Sequence, residues 1–262
     1  MDARSAATAN RSAPRGAAVA PPGVLTLLRH GESEWNHQGR FSGWADVGLS
    51  ENGRAQAERA GRLLARNGLP IDLCLTSMLG RATATSQIVL QVLGRDNVSV
   101  EESWRLNERH YGALQGLRTW TAVRRYGPLA VLRCRRQFRR RPPLLAAGDP
   151  RCPGRDPRYA CIAPAALPRG ESLADTLDRV LPYWEKRIVP ELACGRHVLV
   201  VSHKNTLRAL LVLLRRMAPL QVPGFRITNG VPFVMAFEDG DRWLFGRHLA
   251  ADDGSFRDGT PA

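Results

Sequence analysis

Three stretches of this chain repeat one design, and it constrains the fold more than any other feature. Each is an apolar run that ends in a polar turn and gives way to a helical pattern. The first is Val24-Leu-Thr-Leu-Leu28 before Arg29-His30-Gly31; the second is Ile71-Asp-Leu-Cys-Leu75 before Thr76-Ser77 and a helix carrying Arg81. The third is His197-Val-Leu-Val-Val201 before Ser202-His203 and a helix from Thr206 to Leu214. Short apolar strands that alternate with helices bury both faces of a sheet, so the expected class is α/β. The expected architecture is a three-layer sandwich, with a mostly parallel central sheet and helices on both faces.

Local signals supply further boundaries. Ser50 suits the cap of a helix running towards Asn67, with Gly68 as its C-terminal stop. Ser172 and Asp175 form a capping-box pattern for a helix to about Arg187, with Pro182 a site for a kink. Phe233–Phe237 and Trp243–Leu249 read as a strand pair joined by the turn Glu238-Asp-Gly-Asp241. Residues 114–169, rich in Pro, Gly and Arg, break the rhythm and read as an insertion over the sheet's edge. Residues 1–22 read as a disordered extension without the apolar core of a secretory signal. The central domain then spans 23–250, and the polar tail 251–262 reads as loose.

Composition narrows the function. The formal net charge is +14 over 262 residues, and all of the 38 basic residues except Lys186 and Lys204 are arginine. Guanidinium forks suit carboxylate and phosphate. Five cysteines at scattered spacing argue against a disulfide framework or a zinc site and fit a reducing cytoplasm. No apolar run approaches membrane-spanning length, so no membrane partner is expected. The run Arg133–Arg141 is a candidate nucleic-acid patch, but no nucleic-acid fold motif accompanies it, and no such partner is expected.

In open α/β sheets, ligands sit beyond the carboxyl ends of the strands. Three strand ends here deliver Arg29 and His30, Arg81, and His203 to one rim. Two imidazoles, two guanidiniums and helix N-termini suit a phosphate. A neutral imidazole can attack phosphorus while arginines neutralise the equatorial oxygens.

These residues carry a resemblance. Arg29-His-Gly-Glu-Ser-Glu-Trp-Asn36 resembles the signature of the histidine phosphatase superfamily. Phe41-Ser-Gly-Trp-Ala-Asp-Val-Gly-Leu-Ser50 and Leu106-Asn-Glu-Arg-His-Tyr-Gly-Ala-Leu-Gln-Gly116 are similar to its bisphosphoglycerate-dependent phosphoglycerate mutase branch. Asp156–Tyr159, Glu171–Leu173, Leu181–Trp184 and Ser202–Leu210 extend the match, which runs from about Val24 to about Leu249.

The resemblance implies a histidine phosphatase-like fold and a glycolytic mutase that passes a phosphoryl group through His30. Arg29, Arg81 and His203 would grip that group, and Glu108 would act as general acid and base. Ser33, Asn36, Ser42, Gly43, Arg109, Tyr111, Arg135, Arg136, Lys204 and Asn205 would hold phosphate or carboxylate, Arg135 and Arg136 from a lid within 114–169. The implied primer is 2,3-bisphosphoglycerate, with no metal, and the implied assembly a homodimer or homotetramer. Lys204 stands where the family has glycine. Thr119 stands where it usually has lysine, with Arg118 alongside as a substitute. Competing expectations are a phosphatase that uses the same histidine and a non-catalytic binder of phosphorylated ligands.

Overall fold

The structure, a computed structural model, describes residues 23–214, 227–238, 242–249 and 256–258. The expected N-terminal extension and the turn at 239–241 lie outside these residues. A seven-stranded sheet forms the middle layer, built from β1 (Val24–Arg29), β2 (Leu73–Thr76), β3 (Ser99–Glu102), β4 (His197–Ser202), β5 (Phe233–Glu238), β6 (Arg242–Leu249) and β7 (Phe256–Asp258), in the order β3-β2-β4-β1-β5-β6-β7. The pairings β2–β3, β2–β4 and β1–β4 are parallel, whereas β1–β5, β5–β6 and β6–β7 are antiparallel. The sheet is therefore mixed, a central layer with helices on both faces as expected. Its parallel half carries the three strand-turn-helix units; its antiparallel half grows from the late strand pair.

Alternation along the parallel strands builds two cores. Leu25, Leu27, Leu73, Leu75, Val198 and Val200 face one helical layer, with Val180, Ile188, Leu207, Leu210 and Leu211. These last come from α6 (Leu173–Tyr183), α8 (Lys204–Leu214) and the segment joining α6 to α7 (Val189–Ala193). Leu28, Cys74, Leu199 and Val201 face the other layer, with Ala60, Leu64, Ala82 and Val89. These belong to α2 (Glu51–Arg66) and α3 (Gly80–Val92). Strands apolar on both faces are what a parallel sheet covered twice requires.

The expected boundaries hold where a side chain enforces them. Ser50 Oγ accepts the Gly53 N–H at 3.1 Å and starts α2, and Gly68 adopts φ +58 beyond its end. Ser172 and Asp175 form the reciprocal capping box of α6. Pro182 does not end the helix. The chain passes into a π-helical turn at Trp184–Ile188 and then α7, so the freed backbone is accommodated by widening.

Two strands were not legible. β3 is an exposed Ser-Val-Glu-Glu edge, and β7 lies in the stretch expected to be loose. Charged residues on an edge blunt further pairing but hide the strand from an apolar pattern. Residues 114–169 are also more ordered than their composition suggests. They form α4 (Thr119–Tyr126), α5 (Pro128–Arg136) and 3-10 turns at 153–155, 157–159 and 164–166. Helices α4 and α5 pack Ala122, Val131 and Cys134 on Phe41 and Leu114.

Candidate active site

Strand register assembles the site. Arg29 pairs with Ser202 across β1 and β4, so the residues that follow, His30 and His203, emerge side by side. Their rings lie 4.8 Å apart, centroid to centroid, and both are buried. The turn after β1 presses on α2: a Cβ at Gly31 would stand 2.1 Å from the Gly53 carbonyl oxygen, so only glycine fits. From the other side, Asn229 donates its side-chain N–H to the His30 carbonyl at 2.8 Å.

Hydrogen bonds fix the proton positions. His30 Nδ1 lies 2.5 Å from the Gly31 carbonyl, which can only accept, so Nδ1 carries the proton and Nε2 the lone pair. His203 Nε2 lies 2.7 Å from Ser77 Oγ, which accepts the Leu79 N–H at 3.2 Å. Both groups are satisfied when Ser77 donates to Nε2, which leaves His203 Nδ1–H as a buried donor with no partner among the described residues. One histidine thus offers a lone pair and its neighbour a donor.

The arginines are equally poised. Arg81, 1% exposed, donates to the carbonyls of Ala45 (2.9 Å) and Gly43 (2.8 Å). Gly43 sits at φ +54, a conformation that favours glycine. Arg29 donates to the Ile227 carbonyl at 3.0 Å. The Nε of both arginines, together with Ser42 Oγ, is buried without a partner among the described residues. Buried polar groups are almost always paired, so this convergence of unused donors fits a bound anion. Burial pushes Arg81 down to about 10, which leaves it cationic near neutrality.

Glu108 lies opposite. Its Oε1 accepts backbone N–H groups of Arg109 (2.8 Å) and Asn205 (3.2 Å), the second from the first turn of α8. Its loop is clamped from beneath by Arg179, which donates to the carbonyls of Trp104, Arg105, Asn107 and Glu108 at 2.7–3.2 Å. Glu171 completes the clamp, pairing with Arg179 Nε at 2.7 Å and accepting the His110 N–H at 2.8 Å. Trp44 Nε1 adds a 2.6 Å bond to the Glu108 carbonyl.

A cavity of about 200 Å³ joins Arg29, His30, Arg81 and Glu108. Asn36, Ser42, Gly43, Tyr111, Arg135, Lys204 and Asn205 also line it, as the sequence leads one to expect. His203 does not line it; its buried ring lies 4.8 Å behind that of His30, which does. Arg109 and Arg136 line the neighbouring groove instead. Ser33 lines neither; its hydroxyl caps the short helix α1 (Glu34–His37) and accepts the Asn36 N–H at 3.2 Å. Thr119 lines the cavity, whereas Arg118 turns to a separate surface hollow.

Four residues escaped sequence reading. Arg40 lines the cavity and donates to the Gly116 carbonyl at 2.9 Å, but in sequence it is one more polar loop residue. Ser77 was visible only as a turn after a strand. Glu171 fell within the family match but without a role, and Arg179 is one more arginine of the helix begun at Ser172, although both are buried. Among the described residues, no cluster of His, Cys, Asp or Glu could hold a metal ion, and no helix is long and apolar enough to cross a membrane.

Electrostatics give the first expected result. Burial, then Arg81, hold His30 and His203 well below the ordinary histidine pKa, and burial with Arg179 pushes His110 down to about 3. All three rings stay neutral in the folded protein while the unfolded chain protonates near pH 6.5. Between these values the unfolded state binds more protons, so stability is full above about pH 6.5 and falls on acidification. Each histidine steepens the fall by up to about 1.4 kcal/mol per pH unit. Guanidinium titrations at pH 7, 6 and 5 should therefore show steadily falling midpoints; a flat profile would contradict neutral buried rings.

The comparisons with known proteins agree with this geometry. The family model of the histidine phosphatase superfamily (branch 1) matches residues 25–148 and 156–247. A 2,3-bisphosphoglycerate-dependent phosphoglycerate mutase of Hamiltonella defensa subsp. Acyrthosiphon pisum (strain 5AT) is 46% identical over 213 residues, covering 81% of this chain and 86% of that one. Among solved structures, a mycobacterial glucosyl-3-phosphoglycerate phosphatase in complex with VO3 superposes with a TM-score of 0.63 at 26% identity, covering 85% of this chain and 96% of that chain. An alpha-ribazole phosphatase from Shigella flexneri, at 23% identity, shares the fold with a TM-score of 0.64 over 87% of this chain and 95% of that one. The chain belongs to branch 1 of the histidine phosphatase superfamily and, within it, to the family of 2,3-bisphosphoglycerate-dependent phosphoglycerate mutases.

Proposed function

We infer that this protein interconverts 3-phosphoglycerate and 2-phosphoglycerate through a phosphorylated His30. The observation that carries the reading is the fixed tautomer pair: Nε2 of His30 holds a lone pair beside the unused donor of His203 and the unused Nε atoms of Arg29 and Arg81. The 46% identical mutase supports this substrate in particular.

The residues present fit 2,3-bisphosphoglycerate. Arg29, Arg81, Ser42 and His203 would hold the phosphoryl group that reacts. Arg109, Tyr111, Arg135 and Asn205 would hold its remaining anionic groups. When bound, the bisphosphate supplies the phosphoryl group that primes His30.

His30 Nε2 directs its lone pair at phosphorus while Nδ1–H stays on the Gly31 carbonyl. The phosphorus–oxygen bond breaks, and Glu108 gives its proton to the departing oxygen. In the return half, Glu108 takes the proton from the acceptor hydroxyl, that oxygen bonds phosphorus, and the N–P bond breaks back to the Nε2 lone pair. Charge that develops on the equatorial oxygens meets Arg29, Arg81 and His203 Nδ1–H, preorganised donors in a site screened from water. Helices α4 and α5 serve as the lid, with Arg135 on its underside and Arg109 tying it to the floor through the Cys134 carbonyl.

The test is an assay with 3-phosphoglycerate, a trace of 2,3-bisphosphoglycerate, and enolase to detect the product. Coupled product is expected. Free phosphate without it would replace the mutase with a phosphatase, a reading favoured by the likeness to the mycobacterial phosphatase. Glu108→Gln should lower turnover about 10²–10⁴-fold, as expected for loss of a general acid. Phosphorylation from an aryl phosphate, whose leaving group needs no proton, should suffer far less. Equal losses with both donors would remove Glu108 from proton transfer.

A further inference from the structure

The positive charge of this chain is concentrated in one stretch. Residues 109–148 hold ten arginines and no Asp or Glu, so they carry ten of the sequence's net +14 charges. Some of these arginines are engaged: Arg109 and Arg135 face the site and its groove, and Arg141 pairs with Asp175. Arg118, Arg124, Arg133, Arg139 and Arg140 are different. All five are exposed, and their side chains have no hydrogen bond or ion pair among the described residues. The same stretch also displays apolar side chains. Five large hydrophobic residues are exposed among the described residues, and four of them, Trp120, Leu129, Leu132 and Leu144, lie here; Trp120 and Leu129 are each 62% exposed.

Helical spacing turns both sets outwards. The inner stripe of Ala122 on α4 and of Val131 and Cys134 on α5 is spent on Phe41 and Leu114. Trp120 and Arg124, four residues apart, share the opposite side of α4 and line a surface hollow of about 670 Å³ with Arg118 and Val123. Leu129 and Arg133 repeat that spacing on α5. The lid therefore has an apolar inner side and an outer side on which arginine alternates with indole and leucine.

We propose that the outer face of the α4–α5 lid docks on an anionic membrane surface, with its free arginines on lipid phosphates and Trp120 and Leu129 at the edge of the acyl layer. Lying on a surface asks for no spanning segment, only for clustered cations beside exposed apolar side chains, because a bilayer presents phosphate and hydrocarbon at adjacent depths. Other occupants match less of the pattern. A second copy would bring the same charges and be repelled. A nucleic-acid strand would suit the arginines, but its bases would find one ring to stack on and three leucines that offer none. The inference is independent of the reaction at His30, since the five arginines and Trp120 lie outside that cavity.

The test is flotation of the full-length protein with vesicles of phosphatidylcholine alone or of phosphatidylcholine mixed with phosphatidylglycerol. Binding is expected only to the mixed vesicles, and it should weaken strongly in about 1 M salt, where the screening length falls to about 3 Å. The triple variant Arg124→Gln, Arg133→Gln, Arg139→Gln should bind those vesicles about 100-fold more weakly, at about fivefold for each arginine near the surface. Brominated acyl chains should quench part of the tryptophan fluorescence of the bound protein, and that part should be missing in Trp120→Ser. Circular dichroism of both variants, unchanged from the unaltered protein, guards against misfolding. Equal binding to the two kinds of vesicle, a triple variant that binds as well as the unaltered protein, or quenching that survives Trp120→Ser would overturn the proposal. So would a protein that ignores vesicles and binds single-stranded RNA or polyglutamate instead, since the patch would then serve a nucleic-acid or an acidic protein partner.

Discussion

Replacing His30 with alanine is expected to reduce turnover by about 10⁴-fold or more, with binding of the substrate retained. The scale follows from removing a nucleophile, which closes the covalent route and leaves only positioning and electrostatics. The neighbouring His203 cannot take over. Its Nε2 is engaged by Ser77 at 2.7 Å, and its Nδ1 carries a proton in the satisfied arrangement. Steady-state assays with His30→Ala and His203→Ala separate the two roles. The first should leave no phosphoenzyme; the second should form one slowly, because a donor is lost but the lone pair remains. Comparable phosphoenzyme yields in the two variants would contradict the assignment.

The largest expected effect on stability comes from a residue remote from phosphorus. Arg179→Met should destabilise the protein by about 3–5 kcal/mol, because it strands Glu171 as an unpaired buried charge. The side chains of this ion pair are only 5% and 4% exposed. The same substitution unhooks Arg179 from four backbone carbonyls in the 104–108 segment, so activity through Glu108 should fall as well. Guanidinium denaturation of Arg179→Met, Glu171→Leu and the double variant is the check. The double variant should recover much of the loss, since a buried pair replaced by apolar groups is often near neutral. If the single variants cost no more than surface substitutions, the clamp holds nothing.

What the sequence disclosed follows from burial. Strands β1, β2 and β4 are apolar on both faces, so they stand out without any partner in view, and the polar residues at their ends mark the rim. From there Arg29, His30, Arg81 and His203 could be placed together before any coordinates. Hidden features share a different cause. β3 is an exposed edge with two glutamates, and α4 and α5 carry so many arginines that their Ala122, Val131 and Cys134 stripe is masked. Ser33 matched a binding signature, and its hydroxyl oxygen also accepts the Asn36 N–H that caps α1, a local demand that a motif cannot reveal. Arg179 was illegible for a further reason. Arginine on an amphipathic helix ordinarily lies in solvent, and only the tertiary structure brings Glu171 and the carbonyls at 104–108 around it.

The central claim concerns one nitrogen atom, and phosphorus NMR addresses it most directly. The protein is incubated with 2,3-bisphosphoglycerate, quenched in alkali to preserve phosphoramidates, and its phosphorus spectrum is paired with peptide mass spectrometry. A phosphoramidate resonance assigned to Nε2 of His30, absent from His30→Ala, is the expected result. Turnover of 3-phosphoglycerate with no phosphate on that ring, or with phosphate on His203 instead, would contradict the account.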